Sequence, residues 1–342
     1  MKSAFLKKAG EIAVEDVPRP ECPPGMVLIN VKEVGICGSD LHYFNDGRIG
    51  DHVVTAPHVL GHEASGVIAE VGTKVKGFRV GDRVCIEPGV PCMSCDFCRQ
   101  GRYNLCPDVH FTGAPPYNGM FCDFLVHDPR FVYRIPDRVS FTQAALAEPL
   151  SVAHNAIGKA RLVPGETALI LGAGPIGFSC IEMARVAGAA KVISSEPLAF
   201  RRAVALKVGA DQAVDPSSGQ LPQIVREITD GRMCECVFEA SGAESAIADA
   251  IHCVRPGGRV VYIGMGKAVV GVPHAELLKR EATISGIYRY VNDFGPVIGL
   301  LGAGKLDAEA WVSHRFELDR IREAMALAND PSKNKLKVMV TT

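Results

Sequence analysis

The chain has 342 residues, of which 47% are hydrophobic and 22% are charged. This composition is that of a folded globular protein and excludes intrinsic disorder, and at roughly 100–200 residues per domain the length predicts two domains. The 37 basic and 38 acidic residues give a formal net charge of −1. Because such a chain has no strong field of either sign, we expect neither a nucleic acid nor an anionic membrane as a partner.

The sequence carries no recognisable targeting or membrane-spanning segment. Residues 1–16 lack the apolar stretch and the small-residue cleavage site of a signal peptide. The longest uncharged run, residues 167–181, has 15 residues and contains glycine and proline, whereas a membrane helix needs about 18 apolar residues. We therefore expect a cytoplasmic location. In that reducing compartment the 12 cysteines are predicted to be thiols or metal ligands rather than disulfides.

The pattern of short apolar runs changes near residue 151. Before it, β-branched runs bounded by glycine and proline predict strands at residues 27–34, 66–71 and 80–87. After it, apolar runs predict strands at residues 167–171, 191–195, 235–239 and 259–263. Helical patterns alternate with these strands, at residues 176–187, 198–208, 221–229 and 245–254. Such alternation predicts parallel βαβ units and a sheet that is covered on both faces.

A glycine motif follows the strand predicted at residues 167–171. Gly172 permits a tight turn, Gly174 lets the backbone approach a pyrophosphate, and Gly177 lets the next helix pack closely on its strand. Glu196 follows the next strand, 19 residues after Gly177, where an acidic side chain binds the ribose hydroxyls of NAD and opposes the extra phosphate of NADP. The pattern predicts NAD binding. A glycine-rich turn beside an unrelated surface glutamate is the alternative.

Four cysteines lie within 15 residues, at Cys92, Cys95, Cys98 and Cys106. Four thiolates close a tetrahedron around Zn²⁺ and leave no open position, which is typical of a structural rather than a catalytic site. An iron–sulfur cluster also uses four thiolates, and unrelated free cysteines are the remaining alternative. We predict a structural zinc that holds this loop in shape.

A second group of metal-binding residue types precedes the four-cysteine lobe. Cys37 opens the sequence CGSDLH (37–42), and 25 residues later His62 and Glu63 follow in GHE (61–63). Taken singly, Cys37 could be a small buried side chain and His62 a hydrogen-bonded core residue. Together they offer a thiolate, an imidazole and a carboxylate, the ligand mixture of a zinc ion that keeps an open position.

These segments together resemble the zinc-dependent medium-chain dehydrogenases. The resemblance is carried by GHEASGVIAEVG (61–72), CGSD (37–40), the four-cysteine lobe and GAGPIG (172–177), and it covers essentially the whole chain. It implies an α/β protein in which residues 1–150, completed by about 290–342, form a GroES-like β-rich catalytic domain that binds zinc. Residues 151–289 would form an NAD-binding Rossmann domain with a doubly wound parallel sheet. A last strand predicted at residues 336–340 would rejoin the first domain.

Within that family the chain is most similar to polyol dehydrogenases of the sorbitol and xylitol type. The similarity lies in CGSDLHYF (37–44), AEPLSVAHNA (147–156) and GIYRYVNDF (286–294). It implies a catalytic zinc bound by Cys37, His62 and Glu63, with water or substrate in the fourth place. Glu148 would lie near this metal, either binding its water or taking the place of a ligand. The simple-alcohol branch has a second cysteine at the position of Glu148, so the carboxylate favours the polyol branch.

The implied reaction interconverts a polyol and the matching ketose. Zinc stabilises the alkoxide and NAD accepts the hydride. The resemblance implies that Ser39 and His42 relay the proton, with Glu148 as the third catalytic residue. A turn residue at position 39 and a surface residue at position 42 are the alternatives. The substrate-binding residues that the resemblance implies are Tyr43, Glu148, Arg289 and Tyr290.

The cofactor site combines the glycine motif with positions implied by the resemblance. Its residues are Gly172, Gly174, Pro175, Ile176, Gly177, Glu196, Arg201, Ile263, Gly264, Met265, Ile287, Tyr288 and Arg289. The resemblance also implies a homo-oligomer, either a tetramer or a dimer. Other functions stay open: a zinc dehydrogenase of the same fold acting on threonine, a butanediol or a simple alcohol, a zinc-free quinone or enoyl reductase, and a nucleotide-binding sensor without catalysis.

Overall fold

The computed structural model describes residues 1–55 and 57–342, which form two compact units. The first unit contains Met1–Glu148, Phe294–Gly304 and Val312–Thr342, and the second contains Pro149–Asp293 and Lys305–Trp311. The chain therefore leaves each unit and returns to it, so neither unit is continuous in sequence. Among the described residues, no helix is long and apolar enough to cross a membrane.

Strands and helices are numbered in chain order. The strands are β1 Lys2–Lys8, β2 Glu11–Asp16, β3 Val27–Gly35, β4 Arg48–Ile49, β5 His52–Val53, β6 His58–Val59, β7 Glu63–Val71, β8 Arg83–Ile86, β9 Gly89–Val90, β10 His110–Phe111, β11 Phe124–His127, β12 Val132–Arg134, β13 Thr167–Leu171, β14 Lys191–Ser195, β15 Gln212–Val214, β16 Cys234–Glu239, β17 Val254–Tyr262, β18 Thr283–Gly286, β19 Val312–Glu317 and β20 Lys337–Thr341. The helices are α1 Gly38–Asp46, α2 Asp96–Arg99, α3 Phe141–Ala145, α4 Ala147–Ala160, α5 Pro175–Val186, α6 Ala199–Lys207, α7 Leu221–Ile228, α8 Glu244–Cys253, α9 His274–Arg280, α10 Phe294–Gly302 and α11 Ile321–Asn329.

A seven-stranded sheet forms the centre of the first unit. Its strands follow the order β12-β8-β7-β3-β20-β19, and β11 also pairs with β3. Strand β3 runs antiparallel to both β7 and β20, and the inward side chains of these strands, such as Val31, Ile68 and Val340, are fully buried in one apolar core. Gly35, at the end of β3, lies opposite both Glu63 and Met339. This register brings the end of β3 and the beginnings of β7 and β20 to one edge of the sheet.

The second unit contains a six-stranded sheet in which every strand pair is parallel. The strand order is β15-β14-β13-β16-β17-β18, so the unit's first strand lies beside its fourth. All but one residue of each central strand, β13 and β16, is buried, because helices cover a parallel sheet on both faces. Open sheets of this type bind ligands at the carboxyl ends of the strands where the order reverses. The predicted doubly wound parallel sheet is confirmed.

Most predicted strand positions agree with the structure, and the differences have local causes. The strands predicted at 167–171 and 191–195 coincide with β13 and β14. The strand predicted at 80–87 is shorter, as β8, because Gly81 has φ +93° and turns the chain just before it. Strand β7 begins three residues earlier than predicted, at Glu63, because it pairs with β3 up to Gly35. The last strand, predicted at 336–340, is β20, which pairs with β3 of the first unit.

A buried carboxylate holds the segment Lys305–Trp311 in the second unit. Glu182 lies on α5 with only 5% of its surface exposed. Its Oε1 accepts a hydrogen bond from Nε1 of Trp311 at 2.8 Å, and its Oε2 accepts one from the backbone N–H of Asp307 at 2.6 Å. Burial raises the pKa of Glu182 to about 7, although both hydrogen bonds oppose the rise. The folded protein therefore holds a proton on Glu182 that the unfolded chain releases near pH 4.5.

This raised pKa predicts a pH-dependent loss of stability. Between pH 4.5 and about 7, the folded state binds more protons at Glu182 than the unfolded state does, so the free energy of unfolding falls as the pH rises. The difference amounts to about 3 kcal/mol at most. We expect wild type to lose about this much relative to the Glu182→Gln variant across that range, as measured by urea denaturation at several pH values. A difference between the two proteins that does not vary with pH would contradict the assignment.

Candidate active site

Three neighbouring strands of the first unit bring metal-binding and charged residues to the same edge of the sheet. Cys37 follows β3 and directly precedes α1, Glu63 is the first residue of β7, and Lys337 is the first residue of β20. Glu63 and Lys337 are 274 positions apart in sequence but touch in the structure. Strand pairing, rather than local sequence, therefore builds this site.

The structure brings Cys37, His62 and Glu63 together as a candidate metal group. One ligand atom from each residue lies within 4.8 Å of the other two. In a tetrahedral zinc site, with zinc–sulfur bonds of about 2.3 Å and zinc–nitrogen or zinc–oxygen bonds of about 2.0–2.2 Å, two ligands lie roughly 3.4–3.6 Å apart, so small side-chain movements bring these three atoms to one ion. The donor set and its spacing therefore fit a zinc ion with three protein ligands. A Cβ at Gly35 would lie 2.1 Å from Oε2 of Glu63, so only glycine leaves room for this carboxylate.

Asp40 orients two of these three ligands, although the sequence analysis assigned it no role. Its side chain is fully buried. Oδ2 accepts a hydrogen bond from the N–H of Cys37 at 2.9 Å, and Oδ1 accepts one from the N–H of Gly61 at 3.0 Å. Oδ1 also lies 3.6 Å from Nδ1 of His62. Carboxylates behind metal-binding histidines fix the ring orientation and make the imidazole a better ligand.

The electrostatic surroundings of His62 favour positive charge at this position. Burial alone would lower the pKa of His62, but the neighbouring carboxylate of Asp40 and the sulfur of Cys37 outweigh it and raise the pKa well above its usual value. A cation placed beside the ring benefits from the same two negative groups. The site is therefore suited to a divalent metal ion.

Lys337 is a second residue that the sequence analysis missed. Its Nζ donates hydrogen bonds to both carboxylate oxygens of Glu63 at 2.7 Å and to the carbonyl oxygen of Ile36 at 3.0 Å. Both side chains are almost fully buried, with 2% of Lys337 and 1% of Glu63 exposed. Burial alone would lower the pKa of Lys337, but the negative charges of Glu63 and Cys37 outweigh it and raise the pKa above its usual value. Glu63 therefore has an internal counter-ion.

The other residues predicted for catalysis occupy different environments around this group. Ser39 is half-buried on α1, and Tyr43 is buried on the same helix. His42 is exposed and lies 3.7 Å from the carboxylate of Asp46, one turn further along α1. Glu148 is buried in the first turn of α4, and its charge acts on Lys337. Glu148 is not a member of the three-residue metal group that the described residues form.

The four cysteines of the lobe form the second candidate metal group. The Sγ atoms of Cys92, Cys95, Cys98 and Cys106 all lie within 4.8 Å of one another. The Sγ atoms of Cys95 and Cys98 are 3.5 Å apart, as are those of Cys92 and Cys106. Around a tetrahedral zinc, sulfur atoms are about 3.8 Å apart, so this cluster fits a closed four-thiolate site.

Backbone and hydroxyl groups around the lobe stabilise thiolate charge. The N–H of Cys95 donates to Sγ of Cys92 at 3.4 Å, and the N–H of Cys92 donates to Sγ of Cys106 at 3.4 Å. The backbone N–H and the hydroxyl of Ser94 lower the pKa of Cys92 to about 6. Burial and the adjacent thiol of Cys95 raise the pKa of Cys98 to about 12. A metal ion is thus the group that would make all four sulfurs anionic together.

In the second unit, the glycine motif follows β13 at the point where the strand order reverses. Gly172 has φ +95°, and a Cβ there would lie 2.8 Å from Cβ of Ser241. A Cβ at Gly177 would lie 1.9 Å from the carbonyl oxygen of Gly172, so this glycine lets α5 pack against the turn. A Cβ at Gly174 would meet nothing within 4 Å. That open space lies at the N-terminus of α5, where the backbone N–H groups can bind a phosphate.

Glu196 follows β14 and is tied to the glycine turn. Its Oε2 accepts a hydrogen bond from the N–H of Ala173 at 2.8 Å, and its Oε1 accepts one from the N–H of Leu198 at 3.1 Å. Arg201, on α6, lies 3.9 Å from the same carboxylate. The negative charge of Glu196 is therefore held in a fixed position beside the phosphate-binding turn.

The remaining predicted cofactor residues lie after β17 and β18. Ile263, Gly264 and Met265 follow β17, and Ile287, Tyr288 and Arg289 follow β18, directly before Tyr290, which was predicted to bind the substrate. The guanidinium of Arg289 stacks on the ring of Tyr288, 4.6 Å from its centroid, and Tyr290 is buried. Nδ2 of Asn155, on α4, donates to the carbonyl oxygen of Arg289 at 3.0 Å. This hydrogen bond fixes the loop at Arg289, where the backbone has φ +57°.

Comparison with known proteins identifies relatives along nearly the whole chain. Residues 23–137 match the family model of the alcohol dehydrogenase GroES-like domain, and residues 175–303 match that of zinc-binding dehydrogenases. A sorbitol dehydrogenase of Bacillus subtilis is 39% identical over 343 residues, which covers 99% of this chain and 97% of that protein. Human sorbitol dehydrogenase is 40% identical over 324 residues, which covers 94% of this chain and 91% of that protein.

Solved structures of similar proteins share the fold of the full chain. The 2R,3R-butanediol dehydrogenase of Bacillus subtilis has a TM-score of 0.92 and 32% identity, covering 100% of this chain and 99% of that one. An alcohol dehydrogenase of Escherichia coli, solved with NADH, has a TM-score of 0.92 and 29% identity, with coverage of 100% and 99%. A zinc-binding dehydrogenase of Sinorhizobium meliloti, solved with NADP, has a TM-score of 0.93 and 28% identity, also with coverage of 100% and 99%.

Proposed function

This chain belongs to the zinc-binding alcohol dehydrogenase family, and from that membership we propose that it interconverts a polyol of the sorbitol or xylitol type and the matching ketose with NAD. The observation that carries the proposal is the grouping of Cys37, His62 and Glu63 as thiolate, imidazole and carboxylate. Full-length similarity to sorbitol dehydrogenases of about 40% identity supports the choice of a polyol as substrate.

When bound, zinc acts as a Lewis acid on a hydroxyl oxygen and NAD acts as the hydride acceptor. The chain's own residues prepare the two sites for these groups. Cys37, His62 and Glu63 would hold the metal, while Asp40 keeps the first two in place. In the second unit, Gly174 leaves room for a pyrophosphate. The fixed carboxylate of Glu196 would accept hydrogen bonds from the ribose hydroxyls of NAD, and its negative charge would repel the extra phosphate of NADP.

We assign the proton relay to Ser39 and His42, because a hydroxyl can both accept and donate a proton and an imidazole titrates near neutral pH. The exposure of His42 supports a position at the solvent side of such a relay. Glu148 stays in the proposal as a group that binds near the metal, and Tyr43, Arg289 and Tyr290 as donors and acceptors for the hydroxyl groups of the substrate.

Several properties of the whole protein belong to the same proposal. We assign residues 1–150 with about 290–342 to the catalytic domain, apart from Lys305–Trp311, which belong to the second unit, and 151–289 to the NAD-binding domain. The structural zinc would hold the lobe of Cys92 to Cys106. Among the described residues all 12 cysteines are free, which supports a reducing, cytoplasmic location. We also propose a homo-oligomer, a tetramer or a dimer, on the strength of family membership.

Substrate turnover tests the proposal most directly. NADH formation would be followed by absorbance with xylitol, sorbitol, galactitol, ribitol, arabinitol, threonine, butanediol and ethanol, each with NAD and with NADP, before and after treatment with a zinc chelator. We expect turnover of polyols with NAD. We expect this turnover to be lost after chelation, because the chelator removes the metal that acts on the hydroxyl oxygen of the substrate.

Other outcomes of this assay would change the proposal in defined ways. Turnover of butanediol or threonine alone would keep the metal mechanism but contradict the polyol assignment, and the similarity to a butanediol dehydrogenase makes this the second candidate. Turnover that survives removal of both zinc ions would contradict the role of Cys37, His62 and Glu63. Binding of zinc and NADH without turnover of any alcohol would favour a sensor.

A further inference from the structure

Glu239 is a buried carboxylate at the centre of the dinucleotide-binding edge of the second unit. It is the last residue of β16, the strand that lies beside β13 where the strand order reverses. Its side chain is fully buried. Neither the glycine motif nor the family resemblance assigned it a role, yet it lies among the chain segments that follow β13, β16 and β17.

One carboxylate oxygen of Glu239 holds the turn that follows β16. Oε1 accepts hydrogen bonds from the N–H of Ser241 at 2.8 Å, from the hydroxyl of Ser241 at 2.5 Å and from the N–H of Gly242 at 2.9 Å. This turn packs directly against the glycine motif, because a Cβ at Gly172 would lie 2.8 Å from Cβ of Ser241. Glu239 therefore sets the position of the wall that faces Gly172.

The backbone of the same residue holds the segment that follows β17. The carbonyl oxygen of Glu239 accepts hydrogen bonds from the N–H of Ile263 at 2.9 Å and from the N–H of Gly264 at 3.0 Å. A Cβ at Gly242 would lie 2.1 Å from the carbonyl oxygen of Met265. The two segments thus pack tightly together, and Glu239 binds both of them.

The second carboxylate oxygen has no protein partner. Oε2 of Glu239 is buried and accepts no hydrogen bond from any described residue. It points toward Gly264, since a Cβ added there would lie 2.9 Å from it. A buried carboxylate oxygen without a donor is costly, and such groups in functional sites are typically satisfied by a ligand. A side chain at Gly264 or at Gly242 would collide with the neighbouring backbone, so Oε2 is bordered on this side by main chain alone.

We propose that Glu239 is a cofactor-positioning residue whose Oε2 accepts a hydrogen bond from a hydroxyl or amide N–H of the nicotinamide riboside half of the dinucleotide. This rests on the NAD-binding part of the proposed function. The adenosine half has its own acidic residue, Glu196, at the end of β14. Glu239, at the end of β16, would supply a hydrogen-bond acceptor for the nicotinamide riboside half. It lies on the other side of the point where the strand order reverses.

The test compares the whole dinucleotide with its adenosine half. In Glu239→Gln, the amide oxygen can still accept from Ser241 and Gly242, but an amide N–H₂ replaces Oε2 and cannot accept. We expect NADH, titrated by fluorescence on the zinc-loaded protein without substrate, to bind roughly 10- to 100-fold more weakly, as for loss of a hydrogen bond to a charged group. AMP, titrated by calorimetry, should bind within about twofold of wild type.

A control variant makes the result specific. Glu235→Gln changes a carboxylate at the opposite end of the same strand, where Glu235 pairs with Arg255, and should leave NADH binding unchanged. Unchanged NADH binding in Glu239→Gln, or equal losses for NADH and AMP, would overturn the proposal. If wild type bound no NADH at all, the proposed function itself would fail.

Discussion

Replacing Cys37 by serine should abolish polyol oxidation while leaving cofactor binding intact. The hydroxyl of serine is a much poorer zinc ligand than a thiolate, so the metal group would retain only His62 and Glu63. Lewis-acid stabilisation of a developing alkoxide contributes several kcal/mol, and about 4 kcal/mol corresponds to roughly a thousandfold in rate. We therefore expect turnover to fall by about a thousandfold or more.

Three measurements on the Cys37→Ser variant check this expectation. Metal analysis should find about one zinc per chain instead of two, because the four-cysteine lobe is untouched. Fluorescence titration should find NADH affinity close to that of wild type, because Cys37 belongs to the first unit and the dinucleotide-binding sheet belongs to the second. Cys22→Ser is the matched control, since Cys22 belongs to neither metal group. Wild-type turnover in Cys37→Ser would exclude the zinc mechanism.

The strands of the second unit could be predicted from sequence because each is marked by its own run of apolar residues. Strands buried on both faces read as continuous apolar runs, so β13 and β14 were placed at their observed ends. The glycines of the motif were readable from their spacing after a predicted strand, although only Gly177 is required by a nearby residue, Gly172, whereas Gly172 packs against the distant Ser241. Strands of two residues, such as β4 and β9 in the first unit, were missed. A strand that short has no periodic pattern, and only its pairing defines it, with β5 in the case of β4 and with β10 in the case of β9.

The candidate active site likewise contains residues that the sequence predicted and residues that it did not. Cys37, His62, Glu63 and the four lobe cysteines were predicted because metal ligands have distinctive residue types and spacing. Asp40, Glu239 and Lys337 were not predicted, because a buried charged residue looks like a surface residue until its partner is known. Lys337 shows the reason most clearly, since its partner Glu63 lies 274 positions earlier. The pairing of both β7 and β20 with β3 brings the two together.

Lys337 should stabilise the metal-free protein against unfolding. Replacing it should therefore lower the stability of the metal-free protein much more than that of the zinc-loaded protein. In the metal-free state the ammonium of Lys337 is the counter-ion that compensates the buried Glu63 carboxylate. Breaking a buried ion pair by removing one partner costs about 3–5 kcal/mol, because an uncompensated charge remains. When zinc is bound, the metal itself can compensate Glu63, so the same substitution should cost much less.

Thermal unfolding of the Lys337→Met variant would measure this coupling. Methionine keeps the apolar length of lysine without the charge. We expect the metal-free variant to unfold about 10 °C below metal-free wild type, and the zinc-loaded variant to lie within a few degrees of zinc-loaded wild type. Lys333→Met, a change at an exposed lysine four residues earlier, should have no effect in either state. An equal fall in unfolding temperature with and without zinc would show that Lys337 contributes packing alone. Zinc would then not replace the lysine as the counter-ion of Glu63.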